Sequence, residues 1–119
     1  FVKKDILGNL LDIKSKFDLV VGFGVTHHIP DDSFRIKWFE ALTKMLNKGA
    51  VLVLTFWEFE KNPGDYLIDW GNKNTPRYCH QYSKKELKEI TETFTKKGLK
   101  LLDTYSADNK NTYLIFGNI

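Results

Sequence analysis

The sequence has little cysteine, proline and glycine, and each shortage excludes a class of protein. Its single cysteine, Cys79, permits no disulfide within the chain and no metal site built from cysteine alone. Three prolines and eight glycines among 119 residues are too few for a collagen-like or low-complexity chain. We therefore expect one globular domain in a reducing, cytoplasmic compartment.

Long hydrophobic runs and a strong charge of one sign are also missing. The longest apolar run, from Ala50 to Trp57, is much shorter than the ~18 residues of a membrane span, so we expect no membrane partner. A net charge of +3 is too small to indicate nucleic-acid binding by itself. What the sequence does have is 42% hydrophobic residues, which is enough for a packed core.

The order of apolar runs in the first half predicts a strand, a helix and a second strand. The strand candidates are Phe17–Phe23 and Ala50–Phe56, whose continuous apolar character is typical of strands covered on both faces in a parallel sheet. Between them, apolar residues recur at helical spacing from Phe34 to Leu46. Capping residues at 31–33 precede this helix, and Lys48-Gly49 is its predicted stop.

The second half predicts another helix and a closing hairpin. Ser83-Lys84-Lys85-Glu86 has the form of a capping box and opens a helix that ends at Lys96-Lys97-Gly98. Strand candidates at Leu99–Tyr105 and Thr112–Ile119 are joined by a connector too short for a crossover helix, so they must pair antiparallel. The aromatic-rich segment 57–82 is predicted to be a lid or a substrate-side insert.

Together these elements predict an open α/β sheet that is mostly parallel and ends in an antiparallel hairpin. Phe1-Val2 is expected to be the tail of an earlier strand. Ligands of such sheets bind beyond the carboxyl ends of the parallel strands. This position predicts one rim that contains Asp5, residues 23–28 and residues 57–60.

The histidines of this rim have no single interpretation from the residues alone. His27 and His28 are adjacent, and adjacent histidines on one loop are expected to diverge. The remaining histidine, His80, lies beside Cys79 far along the chain, so we expect no metal site. Both packing of the loop and contact with a substrate or cofactor would account for the pair. Cys79 is not predicted to be a nucleophile, because sequence adjacency does not provide the geometry that nucleophilic catalysis needs.

Two other stretches are open to both structural and ligand-binding interpretations. Gly22-Phe23-Gly24-Val25 is either a tight turn or a place where the backbone approaches a ligand. It is not a phosphate-binding loop, because His27 occupies the third glycine position of that motif. Arg77 could clamp a carboxylate or phosphate while its aromatic neighbours stack on a base, or the segment could pack over the sheet edge.

Residues 17–30, Phe17-Asp18-Leu19-Val20-Val21-Gly22-Phe23-Gly24-Val25-Thr26-His27-His28-Ile29-Pro30, resemble the fourth-strand motif of class I S-adenosylmethionine-dependent methyltransferases. Residues 45–57 are similar to the helix end and fifth strand of those enzymes, and the closing hairpin resembles their reversed last strand. The resemblance covers nearly the whole chain. It implies a Rossmann-like α/β fold, the cofactor S-adenosylmethionine and a methyl-transfer reaction.

A narrower resemblance concerns the methyl acceptor. His27-His28, residues 56–60 and Arg77-Tyr78-Cys79-His80-Gln81-Tyr82 look like the tRNA wobble-uridine carboxymethyl methyltransferases and their bacterial relatives. Those enzymes carry an Arg-Tyr-Tyr-His stretch before the last helix, and here Cys79 replaces the second tyrosine. The resemblance implies a tRNA partner, with a small molecule as the other acceptor class.

The same resemblance implies roles for single residues. His28 would be the catalytic residue, near the methyl acceptor. The cofactor-binding residues would be Asp5, Ile6, Phe23, Gly24 and Val25, with Asp5 at the adenine and the last three at the methionine end. The substrate-binding residues would be His27, Trp57, Arg77, Tyr78 and His80.

The sequence departs from the family pattern at its beginning. The first family strand with its glycine-rich loop, and the acidic residue that ends the second strand, have no counterpart here. We therefore expect the carboxyl-terminal half of a methyltransferase domain, which lacks a complete cofactor site on its own. The alternative is a non-catalytic interaction module, in which 17–23 forms an exposed apolar edge strand. A nicotinamide-binding enzyme is disfavoured, because no dinucleotide fingerprint occurs.

Overall fold

A computed structural model describes residues 3–8, 12–69, 71 and 75–119. Its elements, in chain order, are β1 (Phe17–Gly22), α1 (Asp32–Thr43), β2 (Leu46–Trp57), β3 (Gly64–Ile68), β4 (Arg77–Gln81), α2 (Lys84–Lys96), β5 (Lys100–Ala107) and β6 (Asn111–Gly117). A short 3₁₀ turn, Thr26–His28, follows β1. The strand tail predicted at Phe1-Val2 lies outside the described residues.

Strands β1, β2, β6 and β5 form a four-stranded sheet in that order. β1 pairs parallel with β2, whereas β6 pairs antiparallel with both β2 and β5. β1, β2 and β5 therefore point the same way, and β6 is reversed between β2 and β5. The predicted closing hairpin is confirmed. The expectation of mostly parallel pairing is wrong for the described strands, because β6 separates β5 from its parallel neighbours.

Both described helices cover the same face of this sheet. Phe39 of α1 lies 6.1 Å from Phe56 of β2 and 5.9 Å from Phe94 of α2, measured between ring centroids. Phe94 in turn contacts Phe116 of β6 at 4.8 Å. These four rings form the centre of one hydrophobic core. Within the described part of the chain, no helix is long and apolar enough to cross a membrane.

The opposite face of the sheet is open at β1. Leu19 and Val21 pair with Val51 and Val53 of β2 and point away from both helices, and they are 61% and 48% exposed. The prediction that this strand is covered on both faces is wrong for the described residues. The other expectation, an exposed apolar edge strand, is confirmed.

Two predicted helix starts are confirmed. The Asp31 carboxylate caps α1 by accepting a hydrogen bond from the backbone N–H of Phe34. At α2, the Ser83 hydroxyl accepts from the Glu86 N–H and the Glu86 carboxylate accepts from the Ser83 N–H, both at 3.0 Å. This capping box holds the first turn of a helix that ends at Lys96, as predicted.

The predicted end of the first helix is wrong. α1 ends at Thr43 and β2 begins at Leu46, so Lys48-Gly49 lies inside a strand. The cause is a tertiary contact: the Phe17 N–H donates to the Met45 carbonyl at 2.8 Å and starts the pairing of β1 with β2 before the glycine. Gly49 still has a φ of +84°, which serves a bulge in β2 rather than a helix cap.

Segment 57–82 contains a small antiparallel sheet of its own. β3 pairs with β4 in a register that sets Asp65 opposite His80 and Leu67 opposite Tyr78. Periodicity had not predicted these two strands, because each is short and lies among turn residues. The role of the segment as a lid or substrate-side insert stays a prediction.

Candidate functional site

The loop after β1 is fixed by Thr55 of β2. The Gly24 N–H donates to the Thr55 hydroxyl oxygen at 3.0 Å, and the Thr26 hydroxyl donates to the Thr55 carbonyl at 2.6 Å. Gly24 has a φ of +64°, and a Cβ built there would meet no atom within 4 Å. The loop therefore leaves open space beside a glycine at the carboxyl end of β1.

A cavity of about 390 Å³ opens at this place, and we call it the rim cavity. It is lined by Gly24, His27, His28, Trp57, Arg77 and Asn111. Five of these six residues were predicted from the sequence: Gly24 for cofactor binding, His27, Trp57 and Arg77 for substrate binding, and His28 as the catalytic residue. Asn111, at the start of β6, was missed, and a lone asparagine in a turn carries no signal that would have found it.

His27 forms a buried wall of the rim cavity. Its ring lies 5.1 Å from the Trp57 ring and 4.1 Å from the His28 ring. Burial, and secondly the neighbouring His28, lower the pKa of His27 from 6.5 to about 4, so its imidazole is neutral at pH 7. Its Nδ1 atom is buried and has no hydrogen-bond partner among the described residues. Since a buried polar atom without a partner is costly, this wall has free energy to gain from a ligand.

His28 and Cys79 lie next to His27. The His28 Nδ1 is 3.3 Å from the Tyr78 carbonyl oxygen, so this nitrogen donates and Nε2 keeps its lone pair. Cys79 is fully buried, which raises the pKa of its thiol, while the Arg77 charge opposes that shift. The expectation that the two histidines diverge is wrong. One ligand-type atom from each of His27, His28 and Cys79 lies within 4.8 Å of the others.

Strand β4 divides the predicted substrate-binding residues between two sites. Successive side chains of a strand point to opposite faces, so Arg77 and Cys79 face the rim cavity while Tyr78 and His80 face away from it. The Tyr78 hydroxyl donates to Asp65 at 2.5 Å, and the His80 Nδ1 lies 2.7 Å from the same carboxylate. Tyr78 and His80 therefore do not join Arg77 in lining the rim cavity.

Arg35 of α1 is the centre of this second site, and it is only 5% exposed. Its Nε donates to the Ile29 carbonyl at 2.8 Å. Its other nitrogens donate to Asp32 at 2.6 Å, to Asp65 at 3.3 Å and to the Tyr78 hydroxyl. The arginine thus ties α1 to the β3–β4 sheet.

His80 lies between two carboxylates. Its Nδ1 contacts Asp65 and its Nε2 contacts Glu86, each at 2.7 Å. Because carboxylates accept hydrogen bonds, each ring nitrogen of His80 has an acceptor beside it. We call Arg35, Asp65, Tyr78, His80 and Glu86 the polar network. It borders a second cavity of about 500 Å³ between α1 and α2.

The network changes the acidity of its members. Burial, followed by the hydrogen bond to Asp65, raises the pKa of Tyr78 to about 12. The hydrogen bond from Tyr78 lowers the pKa of Asp65, with His80 and Arg35 acting in the same direction. At neutral pH the site therefore contains an ionised Asp65 and a neutral Tyr78.

Tyr82 joins the polar network to the rim cavity. Its ring lies under the Arg35 guanidinium at 5.9 Å, and edge-on to His80 at 4.7 Å. Its hydroxyl donates to the Thr26 carbonyl at 2.8 Å, in the turn that carries His27 and His28. Burial raises the pKa of Tyr82 well above its usual value of 10, so the hydroxyl remains a donor.

Gln81 fixes the chain that follows β2. Its side-chain oxygen accepts from the N–H groups of Phe59 and Glu60, both at 2.7 Å, and its amide donates to the Glu60 carbonyl at 2.9 Å. Phe59 in turn lies 4.4 Å from the Trp57 ring. Gln81 thereby sets the position of one wall of the rim cavity.

The other predicted cofactor-binding residues do not line the rim cavity. Asp5 is exposed and its carboxylate accepts a hydrogen bond within its own turn. Ile6 and Val25 are half-buried against the core. Phe23 is exposed and contacts Tyr113, with the ring centroids 6.4 Å apart. The rim cavity is therefore lined by three predicted substrate-binding residues, His27, Trp57 and Arg77, but by only one predicted cofactor-binding residue, Gly24.

No protein-family model matches this sequence, and no curated protein matches it. Solved structures do match. An S-adenosylmethionine-dependent methyltransferase from Clostridium acetobutylicum ATCC 824 has a TM-score of 0.69 and 15% identity, over 98% of this chain and 63% of that one. One from Methanosarcina mazei has a TM-score of 0.71 and 16% identity, over 93% and 65%. The 1,6-didemethyltoxoflavin-N1-methyltransferase of Burkholderia thailandensis has a TM-score of 0.69 and 13% identity, over 98% and 49%.

These structures share the fold with this chain, and their sequence identities are too low to indicate a shared activity or substrate. The chain spans 63%, 65% and 49% of their lengths, so each neighbour contains a substantial part that this sequence does not match. The described sheet order, with one parallel pair and a reversed strand inserted before the edge, agrees with that likeness. The chain has a methyltransferase-like α/β fold with a mixed sheet.

Proposed function

We propose that this chain is part of an S-adenosylmethionine-dependent methyltransferase whose methyl acceptor binds at the rim cavity. One observation carries the proposal: on a methyltransferase-like sheet, a cavity at the carboxyl end of β1 is lined by four residues predicted for binding and by the predicted catalytic residue, His28. Ligands of open α/β sheets bind at such strand ends. The Burkholderia neighbour, which has this fold, contains bound S-adenosylhomocysteine.

The loop after β1 fits the methionine end of the cofactor. Gly24 leaves open space where a side chain would stand, and the backbone of Phe23 and Val25 flanks it. The exposed Asp5 carboxylate is accessible to an adenine amino group, with Ile6 beside it. When bound, the cofactor supplies a methyl group already made electrophilic by the sulfonium.

The residues of this chain would then position the acceptor. His27 and Trp57 form an aromatic wall that excludes water from one side of the cavity. The free Nε2 of His28 would take the proton of a neutral acceptor, and a carboxylate acceptor would need no base because it is ionised at neutral pH. In-line positioning is the main contribution that the protein makes to such a transfer.

For the acceptor, we propose a carboxymethyl group on a tRNA wobble uridine. Two contacts of the rim cavity support this choice: Arg77 is exposed and suited to an anion, and Trp57 is suited to stacking on a base. Tyr78 and His80 would act indirectly, by holding the strand that carries Arg77. A small metabolite with a carboxylate is the other acceptor that this chemistry fits.

We also propose that further strands continue the sheet beside β1. The support is the edge position of β1 and the exposure of Leu19 and Val21 on the face that neither described helix covers. A long, flat, apolar edge is a liability unless another strand or chain covers it. In that arrangement the residues described here supply only part of the cofactor site.

The same edge favours a second candidate, a non-catalytic module that binds a partner chain. The two functions differ in cofactor binding. Isothermal titration calorimetry of S-adenosylhomocysteine into the full-length protein tests this difference. We expect a Kd in the micromolar range, and undetectable binding would reject methyl transfer and favour the interaction module.

A matched pair of glycine variants localises the cofactor in the same experiment. Gly24 and Gly71 both have a φ of +64° and open space around the missing Cβ, so Gly24→Ala and Gly71→Ala impose similar backbone strain. We expect weaker binding only for Gly24→Ala. For the acceptor, transfer of labelled methyl groups from S-adenosylmethionine to bulk tRNA is the assay, and an unlabelled tRNA pool would refute the tRNA proposal alone.

A further inference from the structure

His27, His28 and Cys79 form a cluster whose thiol has no part in the proposed methyl transfer. The two histidines come from the 3₁₀ turn after β1, and the cysteine comes from the middle of β4. One ligand-type atom of each lies within 4.8 Å of the others. The fold therefore brings two imidazoles and a thiol together from distant parts of the sequence.

The hydrogen bond made by the His28 Nδ1 leaves the other ring nitrogen, Nε2, available to bind a metal. Its Nδ1 donates to the Tyr78 carbonyl oxygen at 3.3 Å, which fixes the tautomer with a lone pair on Nε2. Metal-binding histidines commonly make such a bond from their other nitrogen to a backbone carbonyl. The same backbone segment carries Cys79, so one strand orients two of the three groups.

His27 provides a second, independent observation. Its side chain is 6% exposed, and its Nδ1 is buried without a hydrogen-bond partner among the described residues. Buried polar atoms in folded proteins are usually satisfied by protein, by water or by a ligand. A cation bound by this ring would remove the cost of the unpaired nitrogen.

The cluster also has an entrance. His27 and His28 line the rim cavity, whereas Cys79 is fully buried behind them. An ion would reach the three groups from the cavity and would keep one coordination position directed to it. Three protein ligands and one open position are typical of zinc sites that bind water or substrate.

We propose that His27, His28 and Cys79 bind a zinc ion at the wall of the rim cavity. Two imidazoles and a thiolate are ligands that Zn²⁺ prefers. A tetrahedral zinc ion separates its ligand atoms by roughly 3.5 Å, so the three groups would have to approach one another by no more than about 1.5 Å. Rotation of the side chains in a cavity wall provides that movement.

Arg77 is the charged group of the cavity that bears most directly on this site. Its guanidinium repels a free cation. The open coordination position would accept water or an anionic oxygen, which the same guanidinium would attract. Zinc binding is measured without the proposed methyl transfer, and a zinc ion on the His28 Nε2 would occupy the lone pair that takes the proton of a neutral acceptor.

The test is equilibrium dialysis of the reduced, tag-free full-length protein, first stripped with a chelator, against Zn²⁺, followed by metal analysis. We expect one equivalent of zinc for the wild type. Cys79→Ala and His28→Gln should each weaken zinc binding by at least ~10–100-fold. Removal of a residue that only hydrogen-bonds to a metal ligand already lowers metal affinity by about that factor, and removal of a ligand itself should lower it further. Asn111→Ala is the control, because Asn111 lines the rim cavity and contributes none of the three ligand atoms, and it should bind zinc as the wild type does.

A second measurement needs no variant and remains decisive if one of them fails to fold. Co²⁺ bound by a thiolate gives an intense near-ultraviolet absorption, and we expect this band for the wild type on addition of Co²⁺. Two results would overturn the proposal: no zinc retained above the buffer background, or folded Cys79→Ala and His28→Gln variants that retain zinc as tightly as the wild type. A cobalt complex without the thiolate band would also overturn it.

Discussion

The two sides of β4 carry clusters of similar composition but opposite character. On one side, Tyr78 and His80 belong to the polar network, where Asp65 alone contacts three other members. On the other side lies the rim cavity, where the His27 Nδ1 has no hydrogen-bond partner in the described part of the chain and the His28 Nδ1 lies 3.3 Å from a backbone carbonyl oxygen. Satisfied polar clusters rigidify a fold, whereas unsatisfied ones have free energy to gain from a ligand.

The two clusters therefore have different roles: the polar network holds β4 in place, and the rim cavity is available to a ligand. Arg35 joins α1 to β3, and Glu86 joins the first turn of α2 to His80 of β4. The polar network therefore holds the strand from both helices. Arg77 and Cys79 lie on the other side of the same strand. Their backbone is therefore held in place by the polar network, and their side chains face the rim cavity.

The largest effect is expected from Arg35→Met, which removes the centre of the polar network. Methionine keeps the apolar stem of the arginine but none of its donors. It leaves the Ile29 carbonyl and the Tyr78 hydroxyl without their charged partner. Since Asp32 and Asp65 are mostly exposed, water replaces part of the loss, and we expect the free energy of unfolding to fall by about 2–4 kcal/mol in urea denaturation.

Lys37→Met is the control for this prediction. Lys37 lies in the same helix and is exposed, so the same new side chain should change stability by less than about 0.5 kcal/mol. Equal losses for the two variants would show that the polar network contributes nothing beyond an ordinary surface charge.

Tyr82→Phe removes a side-chain hydrogen bond that links the two clusters. The Thr26 carbonyl would lose its buried donor, although it also accepts from the Ile29 N–H at 3.4 Å. We expect a loss of about 1 kcal/mol. Tyr66→Phe deletes a hydroxyl–carbonyl bond of the same kind at an exposed position, to Asn62 at 2.6 Å, and should cost less because water substitutes there. A larger loss in urea denaturation for Tyr66→Phe than for Tyr82→Phe would contradict the linking role.

Much of the frame that carries both clusters was predictable from local patterns. The capping box at Ser83 and Glu86, the apolar run of β2 and the turn before β6 each depend on a few adjacent residues. The rim followed from topology, because strands that point the same way end at one edge. This argument predicted four of the six rim-cavity residues, Gly24, His27, His28 and Trp57, and Arg77 was predicted separately from the stretch before α2.

The parts that were missed depend on contacts between distant residues. α1 stops at Thr43 because Phe17 pairs with Met45. No residue near Thr43 in the sequence is a recognisable signal for the end of a helix. Cys79 meets the histidines because β4 packs against the turn that carries them, where the Tyr78 carbonyl lies 3.3 Å from His28. Arg35 did carry a signal: it stands three residues before Trp38, on the apolar stripe of α1, where a charge predicts a buried partner.

The acid dependence of stability tests the polar network without deleting a buried group. The hydrogen bond from Tyr78 holds the pKa of Asp65 below its unfolded value of 3.8, so the ionised carboxyl stabilises the fold at every pH above that value. The contribution is lost as the pH falls through the lower folded pKa. Asp65 is 65% exposed, so Asp65→Asn should cost less than about 1 kcal/mol at pH 7.

The measurement is the unfolding free energy of both proteins between pH 7 and pH 2. The difference between wild type and Asp65→Asn should shrink below about pH 4. Asp69→Asn, an exposed acid just beyond β3, serves as the control. A difference that stays constant down to pH 2 would mean that the carboxylate charge is not what Tyr78 and His80 recognise.

The smallest change in stability is expected from His27→Phe, and it separates the two clusters most clearly. Phenylalanine keeps the ring contact with Trp57 and removes the buried nitrogen that has no partner. Removing an unsatisfied polar atom is neutral or favourable, so with a chelator present we expect the free energy of unfolding to be unchanged or to rise by up to about 1 kcal/mol. A loss as large as that of Arg35→Met would show that the rim wall is built by bonds of His27 itself. In that case His27 would stabilise the fold as the polar network does. The distinction between a hydrogen-bonded network that holds the fold and a cavity wall that is available to a ligand would then be wrong.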